Sequence, residues 1–149
     1  MYHMEQRKEH TVQEIDVHGT TTASPDEVWR LLDDSSTWPS WTTVEKHARE
    51  RDAGPDGLGE IRTFTTGRYT IREEIVERAA NRRLSYALLS GLPLSDYRAD
   101  IDLTPNGSGT DIRWHTTFRP KVPGTGWMFR RGLDKLTRQF VDGLAKAAA

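Results

Sequence analysis

Residues 91–105, GLPLSDYRADIDLTP, contain a turn, an alternating strand and a second turn. The apolar side chains from Tyr97 to Leu103 occupy every second position, and the charged ones from Arg98 to Asp102 occupy the positions between them. Such alternation predicts an antiparallel sheet with one dry face and one wet face. The function then depends on what covers the dry face.

The same kind of pattern extends along the rest of the chain. Seven strands are predicted, over residues 11–23, 42–51, 60–66, 69–78, 84–90, 97–104 and 110–118. Ser24, Pro25 and Glu27 indicate a helix start with a capping box, and residues 37–41 leave room for one helical turn.

From residue 126 the apolar period becomes helical. The recurring positions are Phe129, Leu133, Leu136, Phe140 and Leu144, which predict one long amphipathic helix at the end of the chain. This helix is long enough to cover the dry face of the sheet. Laid along a curved sheet, it is expected to leave a cavity beneath it.

Composition limits the class of protein. The 149 residues carry a net charge of −1, which gives no general attraction to nucleic acid or anionic membranes. The absence of cysteine excludes disulfides and thiolate metal sites. A signal peptide and a transmembrane stretch are not evident, so we expect a polar tail over residues 1–10, a single domain over residues 11–149 and a cytoplasmic protein.

Several segments together resemble a known family. They are ASPDEVW at 23–29, WPSW at 38–41, REE at 72–74, RLSY at 83–86, SGLP at 90–93 with DYRA at 96–99, and GTDIRW at 109–114. In order and spacing the chain resembles the bacterial polyketide cyclase/dehydrase-like proteins, or SRPBCC proteins, of the START and pollen-allergen superfamily. The resemblance implies an α+β helix-grip fold, in which a seven-stranded antiparallel sheet wraps around a long C-terminal helix and two short helices follow the first strand. Members include aromatase/cyclases, lipid carriers and binders of hormones and ubiquinone, so a shared fold does not fix the activity.

Glu73 is the only candidate catalytic residue. It shares the phase of Tyr69, Ile71 and Ile75 on its strand, so its carboxyl should point to the dry side. Burial of an unpaired carboxylate is costly and raises its pKa. Glu73 is therefore a candidate anchor for a polar ligand group or a general acid/base, while a buried structural pair or a residue at the rim remains the alternative.

Arg62 is the candidate partner of Glu73. If Arg62, Phe64 and Thr66 point inward, Arg62 lies beside Glu73 on the adjacent strand. If the opposite phase holds, Arg62 is an ordinary solvated arginine, and a shift of one residue decides between the two.

Aromatic and apolar side chains at inward positions are candidate ligand contacts, since their ring edges and polar tips can orient a ligand. They are Trp41, Phe64, Tyr69, Tyr86, Tyr97, Trp114, Phe129 and Leu133. Plain core packing is the alternative for each of them. Small residues on the same face, Gly19, Ala99 and Thr116, favour an interior that is not completely filled.

The sequence contains no pattern typical of a metal site or of a catalytic serine nucleophile. His18, His47 and His115 have no partner at metal-ligand spacing, and the chain contains no G-x-S-x-G motif. We therefore predict neither a metal site nor a cofactor.

Three functions are compatible with these patterns. The leading hypothesis is binding of a small hydrophobic or amphipathic molecule, such as a polyketide, lipid or aromatic metabolite, in a cavity between sheet and helix. The alternatives are a cofactor-independent aromatase/cyclase or dehydratase acting on a polyketide-like substrate, and a protein-interaction module with a filled cavity. Nucleic acid and stable membrane insertion are not expected, and a homodimer is left open.

Overall fold

The computed structural model describes residues 11–149, and the predicted polar tail over residues 1–10 lies outside them. The strands of this part are β1 (Gln13–Thr21), β2 (Lys46–Arg51), β3 (Ile61–Thr66), β4 (Tyr69–Ala79), β5 (Arg83–Ser90), β6 (Leu94–Asn106) and β7 (Gly109–Pro120). The helices are α1 (Pro25–Asp33), a 3-10 turn (Ser35–Thr37), α2 (Trp38–Trp41) and α3 (Gly126–Ala148), hereafter the C-terminal helix. The helix-grip fold predicted from the sequence is confirmed.

All seven strands belong to one sheet with the order β1-β7-β6-β5-β4-β3-β2, and every neighbouring pair is antiparallel. A row of inward side chains crosses five strands, because each member lies opposite the next: Ile75, Tyr86, Ala99, Thr116 and Ile15. All five are buried. The predicted dry face is therefore continuous across the sheet.

The opposite face is wet and carries ion pairs. Arg113 bonds to Asp16 at 2.8 Å, and Arg83 bonds to Asp102 at 2.6 Å. The edge strand β2 is exposed along its whole length. A charged edge of this kind discourages pairing with another sheet, and it explains why residues 46–51 show little apolar alternation.

The C-terminal helix lies across the dry face and packs most closely near its end. Val141 and Leu144 are fully buried. A Cβ atom on Gly19 would stand 2.5 Å from Cγ1 of Val141, and one on Gly143 would overlap the Trp41 carbonyl. Glycine at position 19 therefore leaves room for the Val141 side chain against β1. Glycine at position 143 lets the backbone of the helix come close to the backbone of α2.

The start of α1 differs from the prediction. The Ser24 hydroxyl donates to Oδ1 of Asp26 at 2.5 Å, and the Glu27 amide bonds to the Ser24 carbonyl at 3.1 Å. The predicted capping box is therefore wrong, because the Asp26 carboxylate engages the hydroxyl and the backbone of Ser24 satisfies the amide. Across residues 11–149 no helix is both long enough and apolar enough to cross a membrane.

Candidate ligand-binding cavity

A cavity of about 180 Å³ lies between the sheet and the C-terminal helix. Its sheet wall comes from β3, β4, β5 and β6 and consists of Phe64, Ile71, Glu73, Tyr86, Leu88 and Tyr97. These positions follow from strand alternation, since each of these side chains points toward the helix.

The helix wall consists of Leu133, Leu136 and Phe140, joined by Trp38 of α2. The spacing of the three helix residues places them on one stripe. Trp38 is held firmly, because its Nε1 donates to the Leu32 carbonyl at 3.2 Å. This wall is apolar throughout.

The mouth of the cavity is marked by lining residues that reach solvent. Thr43, Thr66 and Tyr69 are exposed, and Tyr69 keeps 65% of its surface accessible. Val44 and Leu92 complete the rim and are half-buried. A small molecule can therefore enter between the β3–β4 hairpin, the segment before β2 and the loop after β5.

Among residues 11–149, Glu73 supplies the one carboxyl group of the lining. It is only 8% exposed and lies opposite Arg62 on β3 and Leu88 on β5. Within residues 11–149 its carboxyl makes neither a hydrogen bond nor an ion pair with another side chain. Burial raises the pKa of Glu73 to about 8, although the positive charge of Arg62 acts in the opposite direction. The carboxyl is therefore largely protonated at neutral pH.

Arg62 points inward but binds elsewhere, which corrects the prediction that it pairs with Glu73. The side chain is 1% exposed, and its Nε donates to Oε2 of Glu60 at 3.0 Å. Its Nη1 donates to the Leu32 carbonyl at 2.9 Å, and its Nη2 donates to the carbonyl of Asp33. The guanidinium thus binds the end of α1, where helix carbonyls lack partners and attract positive charge.

Glu60 is the buried carboxylate that Arg62 neutralises. It also accepts from Nη2 of Arg78 at 2.5 Å and lies 3.3 Å from Nε of Arg49. Burial opposes ionisation, but hydrogen bonds and charges from Arg62 and Arg78 outweigh it and lower the pKa of Glu60. This cluster joins β3 and β4 to α1 and lies outside the cavity lining.

Two tyrosine hydroxyls belong to the sheet wall. The hydroxyl oxygen of Tyr86 accepts from Nε1 of Trp114 at 3.3 Å, and the ring of Tyr97 stacks on that of Tyr86 with centroids 6.4 Å apart. Burial first, and then neighbouring negative charge that includes Glu73, raises the pKa of both tyrosines. Both hydroxyls keep their protons and remain hydrogen-bond donors.

The structure brings six of the ten predicted site residues to the cavity: Phe64, Tyr69, Glu73, Tyr86, Tyr97 and Leu133. It places the other four elsewhere. Trp41 and Trp114 are buried behind Trp38, whose ring centroid lies 4.9 and 5.8 Å from theirs. Arg62 binds Glu60, and Phe129 is half-buried against the core beyond the cavity.

Sequence reasoning missed several lining residues. Leu136 and Phe140 follow Leu133 at three and seven residues, so the helical stripe already contained their signal. Leu88 is two residues from Tyr86 on the same strand face. Trp38 had no comparable signal, because it lies in a short helical turn without a period.

A second depression is larger, at about 620 Å³, and more open. Its charged lining includes Glu77, Arg83 and Asp102, and Arg83 is already bonded to Asp102 at 2.6 and 3.0 Å. Because these charged side chains already bond to each other, few of their hydrogen-bonding groups remain to recognise a ligand. Among residues 11–149 no group of three or more metal-binding side chains is assembled.

Fold and cavity together define a helix-grip protein with an internal, largely apolar pocket that holds one buried carboxyl. The family described as polyketide cyclase / dehydrase and lipid transport matches residues 12–149. The chain belongs to this family, and no curated protein matches its sequence.

Solved structures share the fold at low sequence identity. A START superfamily protein from Mycobacterium smegmatis is 13% identical with a TM-score of 0.78, covering 91% of this chain and 96% of that one. Norcoclaurine synthase from Thalictrum flavum, in complex with dopamine and hydroxybenzaldehyde, is 17% identical with a TM-score of 0.70, covering 95% and 89%. The di-domain ARO/CYC StfQ of the steffimycin pathway is 17% identical with a TM-score of 0.79, covering 98% of this chain and 53% of that one. At these identities the similarity establishes the fold alone.

Proposed function

We propose that this protein binds one small amphipathic molecule in the cavity between the sheet and the C-terminal helix. The observation that carries the proposal is a largely apolar space, open at one mouth, into which the described residues present one buried carboxyl, that of Glu73, without a side-chain partner in residues 11–149. Pockets that bind small molecules combine apolar walls with a few polar groups that orient the ligand. Glu73, Tyr86 and Tyr97 are those polar groups here.

The family description and the similar structures support the proposal. The family includes proteins of lipid transport, and the Thalictrum synthase holds dopamine and hydroxybenzaldehyde in a protein of the same fold. The presence of a cavity favours this proposal over the protein-interaction alternative, which assumed a filled interior.

A pair of tryptophan variants tests the proposal. Leu133→Trp places an indole in the cavity, and Lys135→Trp places the same indole on the exposed side of the same helix. Native mass spectrometry of freshly purified protein, followed by a thermal-shift screen of small amphipathic compounds, measures binding. Ligands that bind the folded state raise the melting temperature. We expect binding by the wild type and Lys135→Trp and its loss in Leu133→Trp; equal binding by all three would overturn the proposal.

Acid–base catalysis is a second candidate, favoured by one observation. The pKa of Glu73 is about 8, close to neutral pH, and its carboxyl faces the cavity. A group with such a pKa can give a proton to a substrate oxygen and take one back from carbon. Turnover of a poly-β-ketone mimic that disappears in Glu73→Gln would support catalysis. Saturable binding of the mimic without turnover would favour a carrier.

A further inference from the structure

The size of the cavity narrows the class of ligand. A volume of about 180 Å³ is the share of about six water molecules in the liquid, and an apolar cavity of about 150 Å³ holds one benzene molecule. Pockets for drug-sized ligands measure about 300–1,000 Å³. One ring with a short substituent fits this space, whereas most of a long acyl chain would have to lie outside the mouth.

The deep end of the cavity resists enlargement. The ring of Trp38 stacks on Phe64 with centroids 4.8 Å apart and meets Phe140 edge-on at 6.4 Å. Its Nε1 is bonded to the Leu32 carbonyl. A change of rotamer at Trp38 would break these contacts and leave a buried donor unpaired, which is costly. The deep end therefore limits how far a ligand can extend into the cavity.

The polarity of the cavity narrows the class further. The ionisable groups that face Glu73 are Arg62 on β3, Tyr86 on β5 and Tyr97 on β6, while the helix wall presents leucine and phenylalanine. The tyrosines keep their protons, and a protonated Glu73 offers a further O–H donor. Arg62 already places one buried cation beside this group. The Tyr86 and Tyr97 hydroxyls interact with each other, and the Arg62 guanidinium binds Glu60 and the end of α1. The protonated Glu73 carboxyl is thus a donor without a side-chain partner among residues 11–149, and a ligand oxygen that accepts a hydrogen bond complements it.

We infer that the ligand is a neutral molecule of one ring with a short substituent, whose carbonyl oxygen accepts a hydrogen bond from Glu73. The inference rests on the proposed function, because it concerns the occupant of the same cavity. Only the protonated carboxyl donates, so affinity should be constant at low pH and should fall by up to about tenfold per pH unit once the pH exceeds the pKa of Glu73, about 8.

Calorimetric titration with four probes tests the inference. Acetophenone carries a ring and a carbonyl, ethylbenzene lacks the carbonyl, benzylamine carries a cation, and 2-undecanone keeps the carbonyl on a long chain. We expect acetophenone to bind the wild type at least about fivefold more tightly than ethylbenzene, the value of one net hydrogen bond. This advantage should be lost when the pH rises from about 6.5 to about 9.5.

Glu73→Gln is the matched variant. Its amide still donates but does not titrate, so the preference for acetophenone should persist and its pH dependence should disappear. Infrared difference spectra of the wild type, which follow the C=O stretch of the protonated Glu73 carboxyl, test the same contact without any variant. A shift on adding acetophenone supports the inference, and an unchanged band contradicts it.

The outcomes separate the two proposals. Tighter binding of benzylamine or 2-undecanone than of acetophenone would overturn the ligand class and leave the cavity as a binding site. Equal affinity for acetophenone and ethylbenzene would also overturn the ligand class and leave the cavity as a binding site. If none of the four probes binds, the ligand class falls, and the proposed function falls with it if the thermal-shift screen is also negative.

Discussion

At the scale of single residues, Glu73 links the stability of the protein to pH. Its pKa rises from an ordinary value of 4.5 to about 8 on folding. The contribution of Glu73 to the free energy of unfolding is therefore fully present below about pH 4.5. It is lost as the pH rises toward 8, by about 1.4 kcal/mol per pH unit. We expect Glu73→Gln, which cannot ionise, to gain stability relative to the wild type over this interval and to gain no more above it.

Urea denaturation at several pH values measures this difference. Glu27→Gln on the exposed side of α1 is the control. Its free energy of unfolding relative to the wild type should not rise with pH as that of Glu73→Gln does. If the free energy of unfolding of Glu73→Gln differed from that of the wild type by the same amount from pH 5 to pH 8, the Glu73 carboxyl would be ionised at no cost, in contact with water.

Arg62 gives a second prediction at the same scale. Its removal in Arg62→Met leaves a buried carboxylate and two helix carbonyls short of a donor. Breaking a buried pair in this way costs about 3–5 kcal/mol. Arg98→Met, which removes half-exposed ion pairs with Glu77 and Asp100, should cost less than about 1 kcal/mol. Urea denaturation of both variants checks the order, and equal losses would show that the Glu60 cluster is dispensable.

At the scale of elements, two of the three glycines in the C-terminal helix, Gly132 and Gly143, have opposite roles. A Cβ on Gly143 would overlap the Trp41 carbonyl, whereas one on Gly132 would meet nothing within 4 Å. Gly143→Ala should therefore push the helix away from α2 and cost more than about 2 kcal/mol. Gly132→Ala should stabilise the helix by up to about 1 kcal/mol. Thermal unfolding measures both, and a neutral Gly143→Ala would contradict the close approach.

Elements were predictable from the sequence where one face is buried and the other is not. In β6 the alternation from Tyr97 to Leu103 identified the inward face correctly, because strand side chains alternate by geometry. In β3 the same argument left both phases of Arg62 open, and the structure buries its side chain. The partner was not predictable in this way. Glu60 was within reach at two residues' distance, but the carbonyls of α1 are brought to Arg62 only by the tertiary fold.

The cavity was less predictable than the elements, since alternation indicates the side of a residue and not its depth. Trp114 and Tyr86 point to the same face, yet Trp114 is covered by Trp38 while Tyr86 reaches the cavity. The position of Trp38 depends on a short turn whose packing against Phe64 and Phe140 is long-range. Long-range packing of this kind determines which side chains on the dry face of the sheet line the cavity.

At the scale of the whole molecule, one end is dense and the other is hollow. The second half of the C-terminal helix buries Thr137, Val141 and Leu144, and the Thr21 hydroxyl donates to the Ala145 carbonyl at 2.8 Å. The middle of the helix lies over the cavity, where Leu133 and Leu136 are only half-buried. The protein is thus expected to open at the end where a ligand enters.

Hydrogen exchange along the C-terminal helix tests this asymmetry. Amides of residues 130–136 should exchange faster than those of residues 139–145, because local opening needs less free energy where fewer apolar contacts are broken. The first four amides of the helix are left out, since they lack helical acceptors. Xenon enters apolar cavities of this size, and it should slow exchange at residues 130–136 more than at residues 139–145. Equal protection of both halves, unchanged by xenon, would mean that the helix is clamped along its whole length and that entry to the cavity requires another movement.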